Sequence, residues 1–252
     1  MTSNFPETNP FRTNDVKSSD VDMRPSTPSS RSSASEHPQS IGLEASSRLY
    51  HIYHSAIRYD YRVMDAHKSQ LYFVYNSHLT PKKADITFHA GEDSKAPVAG
   101  VCKFIKFTRQ FKVGLGDPDR AGDMVWEDLQ GQNFTKSKYR WPMSVPSPNG
   151  GLERRWFLWT RTHSQVVEGE SSSLFSFRNF KLVDELTGQI VAIFTSNTFK
   201  SIRKNGKLQV VGEYGPDFDL MVLITILAIY EKTRRRRAAK GGGGGGGGGD
   251  GG

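Results

Sequence analysis

The densest chemistry in the chain is a basic run near its end. Lys232, Arg234, Arg235, Arg236, Arg237 and Lys240 share residues 231–240 with a single acid, Glu231. Cations crowded this way attract anions. Phosphate-bearing lipid headgroups are one target, at ~1 kcal/mol for each Lys or Arg near the surface. A nucleic-acid backbone is another, but the arginines stand in one block before a glycine run, with no aromatic interleaved to stack on bases. A nuclear-targeting patch and a merely solvated helix end are the other readings of the same residues. A second basic group, Lys103, Lys106, Arg109 and Lys112, falls on or beside a long β-type stretch. Lys103 and Arg109 are of one parity and Lys106 and Lys112 of the other, so on one strand they need not share a face. The candidate lipid- or anion-binding residues are therefore Arg234, Arg235, Arg236, Arg237 and Lys232, with Lys103, Lys106 and Arg109 as a second set.

Other reactive side chains carry weaker signals. His51 and His54 lie three apart, ahead of Asp60, Asp65 and His67. That spacing would let the first two share a helical face, but a metal needs three or four converging ligands. Cys102 is the only cysteine, which rules out an intramolecular disulfide and a cysteine-based zinc or iron–sulfur site within one chain. No His or Asp spacing marks it as an activated nucleophile, so it reads as a buried thiol. Gly114-Leu115-Gly116-Asp117 lacks the Gly-Lys-Ser/Thr of a phosphate loop and the third glycine of a dinucleotide fingerprint, and reads as a turn. Trp126, Trp141, Trp156 and Trp159 read as core or loop anchors. Ser29-Ser30-Arg31-Ser32-Ser33 could accept phosphate, as any serine-rich arm could. With no acid–base pair, triad or metal cluster in sight, no catalytic residue and no cofactor is expected.

These residues must be held by a domain shorter than the 252-residue chain. Of the first 45 residues, 19 are Ser, Thr or Pro, and the few apolar ones have no period, so 1–45 is expected to be a disordered arm. Residues 238–252, with nine consecutive glycines from Gly241, are expected to be a flexible tail. Residues 46–237 remain, enough for one core. The formal charge is +8, with residues 1–45 at −2 and residues 231–240 at +5, so the domain is mildly basic with one dense basic knot. Met1-Thr2-Ser3-Asn4-Phe5-Pro6 lacks the basic start and apolar run of a secretory signal. A cytoplasmic location is expected, with a peripheral membrane or nuclear one as alternatives.

The middle of the chain reads with period two. Tyr59, Tyr61 and Val63 alternate with Asp60, Arg62 and Met64; Leu71, Phe73 and Tyr75 take one face with Tyr72 and Val74 on the other; Ile86 and Phe88 alternate with Asp85, Thr87 and His89; and 97–112 is a longer β-type run. A short strand is expected around 124–129 and an alternating one over 154–161, with another candidate at 174–183. A turn at Leu186-Thr187-Gly188 leads to a strand over 190–195. The three prolines and the Asn-Gly step of 141–151 predict an irregular loop. Asn205-Gly206, between 199–202 and 208–211, predicts a type I′ hairpin turn. Ten to twelve strands joined by short turns make an antiparallel meander, with no strand–helix alternation for a parallel sheet.

Then the character changes. From Phe218 to Tyr230 the chain is apolar on nearly every side, with Pro216 and Asp217 suited to a helix start and the arginines to its end. A helix over about 217–234 would be about 27 Å long at ~1.5 Å per residue. With no polar face it must be covered all round. Its apolar part is about 11 residues, 220–230, against the ~20 that a bilayer needs. A barrel of about twelve strands, in turn, has a lumen too wide for its own side chains to fill. The expected fold is therefore mainly β: a closed antiparallel barrel of about twelve strands around a hydrophobic C-terminal helix, with Phe218, Leu220, Leu223, Ile224 and Leu227 as the helix core.

The meander followed by Gly212-Glu213-Tyr214-Gly215-Pro216-Asp217-Phe218-Asp219 and an apolar terminal helix resembles the tubby C-terminal-like superfamily, which takes in tubby, the plant LURP-one-related proteins and the phospholipid scramblases. Tyr61-Arg62-Val63-Met64-Asp65 with Gln70-Leu71-Tyr72-Phe73-Val74 looks like the first hairpin of that fold, and Phe180-Lys181-Leu182-Val183-Asp184 with Gly188-Gln189-Ile190-Val191-Ala192 like a later one. The similarity spans roughly 57–234, with kin expected among fungal members. It implies a twelve-stranded barrel around a central helix. Tubby-type members bind phosphoinositides through basic residues on the barrel surface, and scramblase-type members associate with membranes and calcium. Neither residue set transfers position by position: only Asp217 and Asp219 stand where acidic calcium ligands would, and a palmitoylated cysteine-rich stretch is absent. The expectation is a monomeric, non-enzymatic scaffold or binding domain drawn to anionic phospholipids or phosphoinositides. A protein–protein interaction module and a scramblase-like membrane protein are the alternatives.

Overall fold

Twelve strands follow one another before a single helix closes the chain. They are β1 (Arg48–His54), β2 (Tyr61–Met64), β3 (Gln70–Asn76), β4 (Ile86–His89), β5 (Val98–Phe104) and β6 (Gln110–Leu115). Then come β7 (Val125–Gly131), β8 (Lys138–Pro146), β9 (Leu152–Arg161), β10 (Phe180–Asp184), β11 (Ile190–Ser196), β12 (Lys204–Val210) and α1 (Pro216–Gly241). The computed structural model describes residues 47–55, 59–77, 83–120, 122, 124–133, 135, 137–162, 164–165, 167, 179–196 and 204–241. The expectations for 1–45 and for the stretches 174–178 and 199–202 lie outside them.

Each strand pairs antiparallel with its neighbours in sequence, and β1 pairs with both β2 and β12, so the sheet closes into a barrel with no free edge. Alternation places one parity of each strand inside: Ile52, Val63, Val74, Phe88, Cys102, Val113, Trp159, Leu182 and Leu208 are all fully buried. The lumen is filled by α1. Residues 218–231 are buried without interruption, including Phe218, Leu220, Leu223, Ile224 and Leu227. The ring of Phe218 packs against Trp141, Phe157 and Tyr214, at centroid distances of 6.0, 4.9 and 4.8 Å. Thr225, a hydroxyl in the middle of this apolar segment, accepts a hydrogen bond from Trp159 Nε1 at 3.0 Å and donates to the Val222 carbonyl. That disposes of the polar atom that burial would otherwise penalise. Where the helix passes closest, the wall is glycine: a Cβ on Gly100 would lie 2.5 Å from Ile224 Cδ1.

The helix start is pinned. Arg48 donates to both carboxylate oxygens of Asp219, at 2.5 and 3.0 Å, and Tyr50 donates to the same group at 2.7 Å. Asp217 and Asp219 in the first turn also complement the positive end of the helix dipole.

Four local expectations are corrected. The run 97–112 is two strands joined by a tight turn at 105–109. The stretch 141–151 is mostly strand: β8 runs to Pro146, and only the end of the stretch turns. Pro142 is tolerated because β8 pairs with β7 only at Arg140 and Tyr139; from 141 onward its ladder is with β9 alone, an edge-like setting that houses a residue without an N–H. Asn205-Gly206 makes no turn but lies inside β12, where Gly206 faces Ile52 on one side and Ser196 on the other. A Cβ there would sit 2.6 Å from the Thr195 carbonyl, so this glycine answers a close approach of backbones. Finally, α1 continues to Gly241, past the expected 234 and into the segment expected to be tail.

Candidate anion-binding face

Antiparallel order sorts the loops into two sets. The connections β1–β2, β3–β4 and β5–β6 meet the C-terminal end of α1, and those after β2, β4 and β6 meet its start. The two ends differ in charge. Around the helix start stand Asp65, Glu92, Asp93, Asp117, Asp119 and Asp217, with Lys68, Lys95 and Arg120 among them. Around the helix end, the carboxylates in the described loops are Asp60 and Asp85, and both turn inward: Asp60 accepts from the Asn76 amide, and Asp85 accepts from the Phe104 amide and from Arg235.

Inside this end lies a buried ionic knot. Glu231 has no exposed side-chain surface. It accepts from Arg234 at 2.8 Å, from Arg235 at 2.8 Å and from the Tyr61 hydroxyl at 2.5 Å. Burial alone would raise the pKa of this carboxyl, but the hydrogen bonds from Arg234, Tyr61, Asn76 and Arg235 outweigh it and hold it at about 2. Burial, reinforced by the Glu231 charge, pushes the Tyr61 phenol well up. Arg235 also reaches Asp85 at 2.7 Å and donates to the Asn76 side chain and the Ser77 carbonyl. The guanidinium of Arg234 lies 4.3 Å from the centre of the Tyr59 ring. Lys232 leans over Phe111 and Phe104, at 4.2 and 5.6 Å, and donates to the Gln110 carbonyl at 3.3 Å. Burial, followed by the nearby Arg236 charge, lowers its pKa to about 8.

The predicted basic residues therefore separate by role. Arg234 and Arg235 lock the helix end into the barrel mouth, and Lys232 caps the Phe104–Phe111 pair. Arg236 is half-buried and Arg237 exposed, further out along the helix. Lys103 and Lys112, which strand parity alone would keep apart, stand directly opposite each other across the β5–β6 hairpin, both exposed, and Lys112 pairs with Asp128 at 2.8 Å. Lys106 is exposed in the hairpin turn, and Arg109 is half-buried beside it. Lys83 and Lys138, not singled out from the sequence, are exposed at the same end. Phe107 was also missed. It sits at the hairpin tip fully exposed, in the left-handed region at φ 59°.

The other candidates are accounted for by structure. His51 and His54 lie on strand β1, not on a helix, and their odd spacing sends them to opposite faces. Among the described residues no group of His, Cys, Asp or Glu could hold a metal ion. Cys102 is a free, buried thiol whose pKa burial pushes well up, the neighbouring Asp85 adding to the effect. Near the helix start, Arg155, Asp184 and Tyr214 form a second closed network: Arg155 and Tyr214 donate to Asp184 at 2.6 and 2.7 Å. In a cavity of about 480 Å³ beside Arg48, Tyr50, Tyr72 and Asp219, Arg48 and Tyr50 already donate to Asp219. Among the described residues no helix is long and apolar enough to cross a membrane.

No protein-family model matches the chain, and no curated protein matches it. Among solved structures, an X-ray structure of a protein from Arabidopsis thaliana aligns with a TM-score of 0.41 at 10% sequence identity, covering 72% of this chain and 88% of that one. The barrel assigned above stands on the strand register of this chain itself.

Proposed function

We propose that this domain is a non-enzymatic scaffold that docks on anionic phospholipid membranes through the end of the barrel where α1 emerges. One observation carries the reading. At that end the carboxylates of the described loops, Asp60 and Asp85, and Glu231 on α1 are folded inward, while Lys83, Lys106, Lys138 and Arg237 face solvent; Asp128 on the neighbouring wall is paired with Lys112. The sign of the surface is set by which charges the barrel hides. The opposite end is acidic, so the molecule has a direction in the field of a negative membrane. Phosphoinositide headgroups, which carry several phosphates, belong to the same class of target.

The test is vesicle sedimentation of the full chain with phosphatidylcholine alone and with added phosphatidylserine or a phosphoinositide. Binding is expected to anionic vesicles only and to fall with salt. The triple change Lys106→Gln, Arg236→Gln, Arg237→Gln removes three cations worth ~1 kcal/mol each, so affinity should drop roughly a hundredfold. Arg234 and Arg235 are left in place, because changing them would unlock the barrel mouth. Absence of binding to anionic vesicles, or equal binding of the triple variant, contradicts the proposal.

A further inference from the structure

The β5–β6 turn is built to hold one aromatic ring away from the protein. The Ile105 amide donates to the Gln110 carbonyl at 3.2 Å, closing the hairpin. The Thr108 hydroxyl donates to the Ile105 carbonyl at 3.2 Å and accepts from the Gln110 amide at 3.1 Å. The Gly131 amide donates to the Arg109 carbonyl at 3.1 Å, fastening the turn to β7. Within this fixed frame Phe107 has a relative exposure of 106% and a φ of 59°. A bulky side chain in the left-handed region is strained, and a phenyl ring in water forgoes burial. Both are unfavourable, and among the described residues no contact of the ring compensates for either.

We infer that Phe107 is a membrane-inserting wedge, which enters the interfacial zone of an anionic bilayer when the basic end docks. The inference rests on the reading of that end as a membrane-docking face, and adds to it an apolar anchor at a defined position. Charge complementarity selects the partner. Lys106 adjoins the ring, Arg109 follows two residues on, and Lys103 and Lys112 stand behind it across the hairpin. Other exposed apolar side chains differ in setting. Leu152, the first residue of β9, and Leu186, in the β10–β11 turn, are 75% and 65% exposed at the acidic end and adjoin Glu153 and Glu185. A single protruding ring next to Lys106 and two residues from Arg109 is a poor centre for a protein interface, which buries about 800 Å² on each partner around a packed core and is depleted of lysine. It suits a soft surface that is negative outside and apolar a few ångströms below.

Position 107 separates the wedge from the fold. Phe107→Gly removes the ring and relaxes the left-handed backbone, so it should melt no lower than the parent chain while binding vesicles of phosphatidylcholine and phosphatidylserine about tenfold more weakly. Phe107→Leu should keep most of the affinity. In both variants the dependence of binding on salt should match that of the parent, because no charge has changed; Lys106→Gln should make it shallower. If the parent chain binds and Phe107→Gly binds equally well, the ring stays out of the bilayer and the wedge is refuted while the docking face stands. If the parent chain does not bind anionic vesicles, both fall together.

Discussion

Replacing Glu231 with glutamine removes one negative charge from the carboxylate on which Tyr61, Arg234 and Arg235 converge. The fold provides the magnitude. The carboxyl lies fully buried with its pKa drawn down from 4.5 to about 2, which at about 1.4 kcal/mol per pH unit is about 3–4 kcal/mol of stability at neutral pH. Two features moderate the loss. Arg235 keeps Asp85 at 2.7 Å, and the side chains of Arg234 and Arg235 retain 21% and 19% of their exposure, so neither guanidinium is stranded out of water. A loss of about 2–3 kcal/mol is expected for Glu231→Gln, somewhat below the 3–5 typical for breaking a fully buried pair. The dependence on pH is the sharper signature. The folded carboxyl has a lower pKa than the unfolded one, so its contribution is complete above about pH 5 and fades as pH falls toward 2. Urea unfolding of both proteins at pH 7, 5 and 3 should therefore show a gap that is full at pH 7 and less than half as large at pH 3. A gap that stays constant across the three, or is below about 1 kcal/mol at pH 7, would refute the knot as the lock of the barrel mouth.

Two further outcomes follow from the same packing. Gly100→Ala places a methyl group 2.5 Å from Ile224 Cδ1 and 2.9 Å from the Gly114 carbonyl, and should cost about 1–3 kcal/mol in urea unfolding. Ile224→Val removes the nearer of those atoms, so in the double variant the two losses should sum to less than their separate values, and strict additivity would contradict the close contact. Lys232 has a folded pKa of about 8, below that of an unfolded lysine, so the unfolded chain holds more protons between about pH 8 and 10 and stability should rise through that window. In Lys232→Met that rise should be absent from thermal melts across the same range; its persistence would place the titration elsewhere.

The barrel and its helix were legible because they are written in patterns that the backbone must obey. Residues 218–230 offer no polar face, so something had to enclose them, and the alternation of strands such as β2, β4 and β9 supplied the wall. What escaped the sequence was mostly local geometry set by distant partners. The β5–β6 turn was hidden because apolar residues of both parities fill the run: inward parity is even at Gly100 and Cys102 and odd at Phe111 and Val113, a switch that only the fold displays. Once the turn is recognised, Lys103 and Lys112 become neighbours and Phe107 becomes a tip. Asn205-Gly206 misled because the pair is compatible with a turn without requiring one; here the glycine is needed where backbone and the Phe194 ring crowd it. The arginines were half legible. Glu231 stands three and four residues before Arg234 and Arg235, a spacing that places them together on a helix, whereas Asp85 and Asn76 approach Arg235 only through the barrel. The basic run is therefore not one solvent-facing patch: Arg234 and Arg235 hold the helix in place, whereas Arg237 is exposed further along it.

The account stands on the orientation of the barrel at a membrane, and hydrogen exchange of the full chain with and without phosphatidylserine-containing vesicles tests it most directly. Amides of the 105–109 turn and of the helix end beyond Arg235 should slow on adding vesicles, while those of the 65–69 and 90–97 turns at the acidic end should not change. Protection that appears at the acidic end instead, or at neither end, would contradict it.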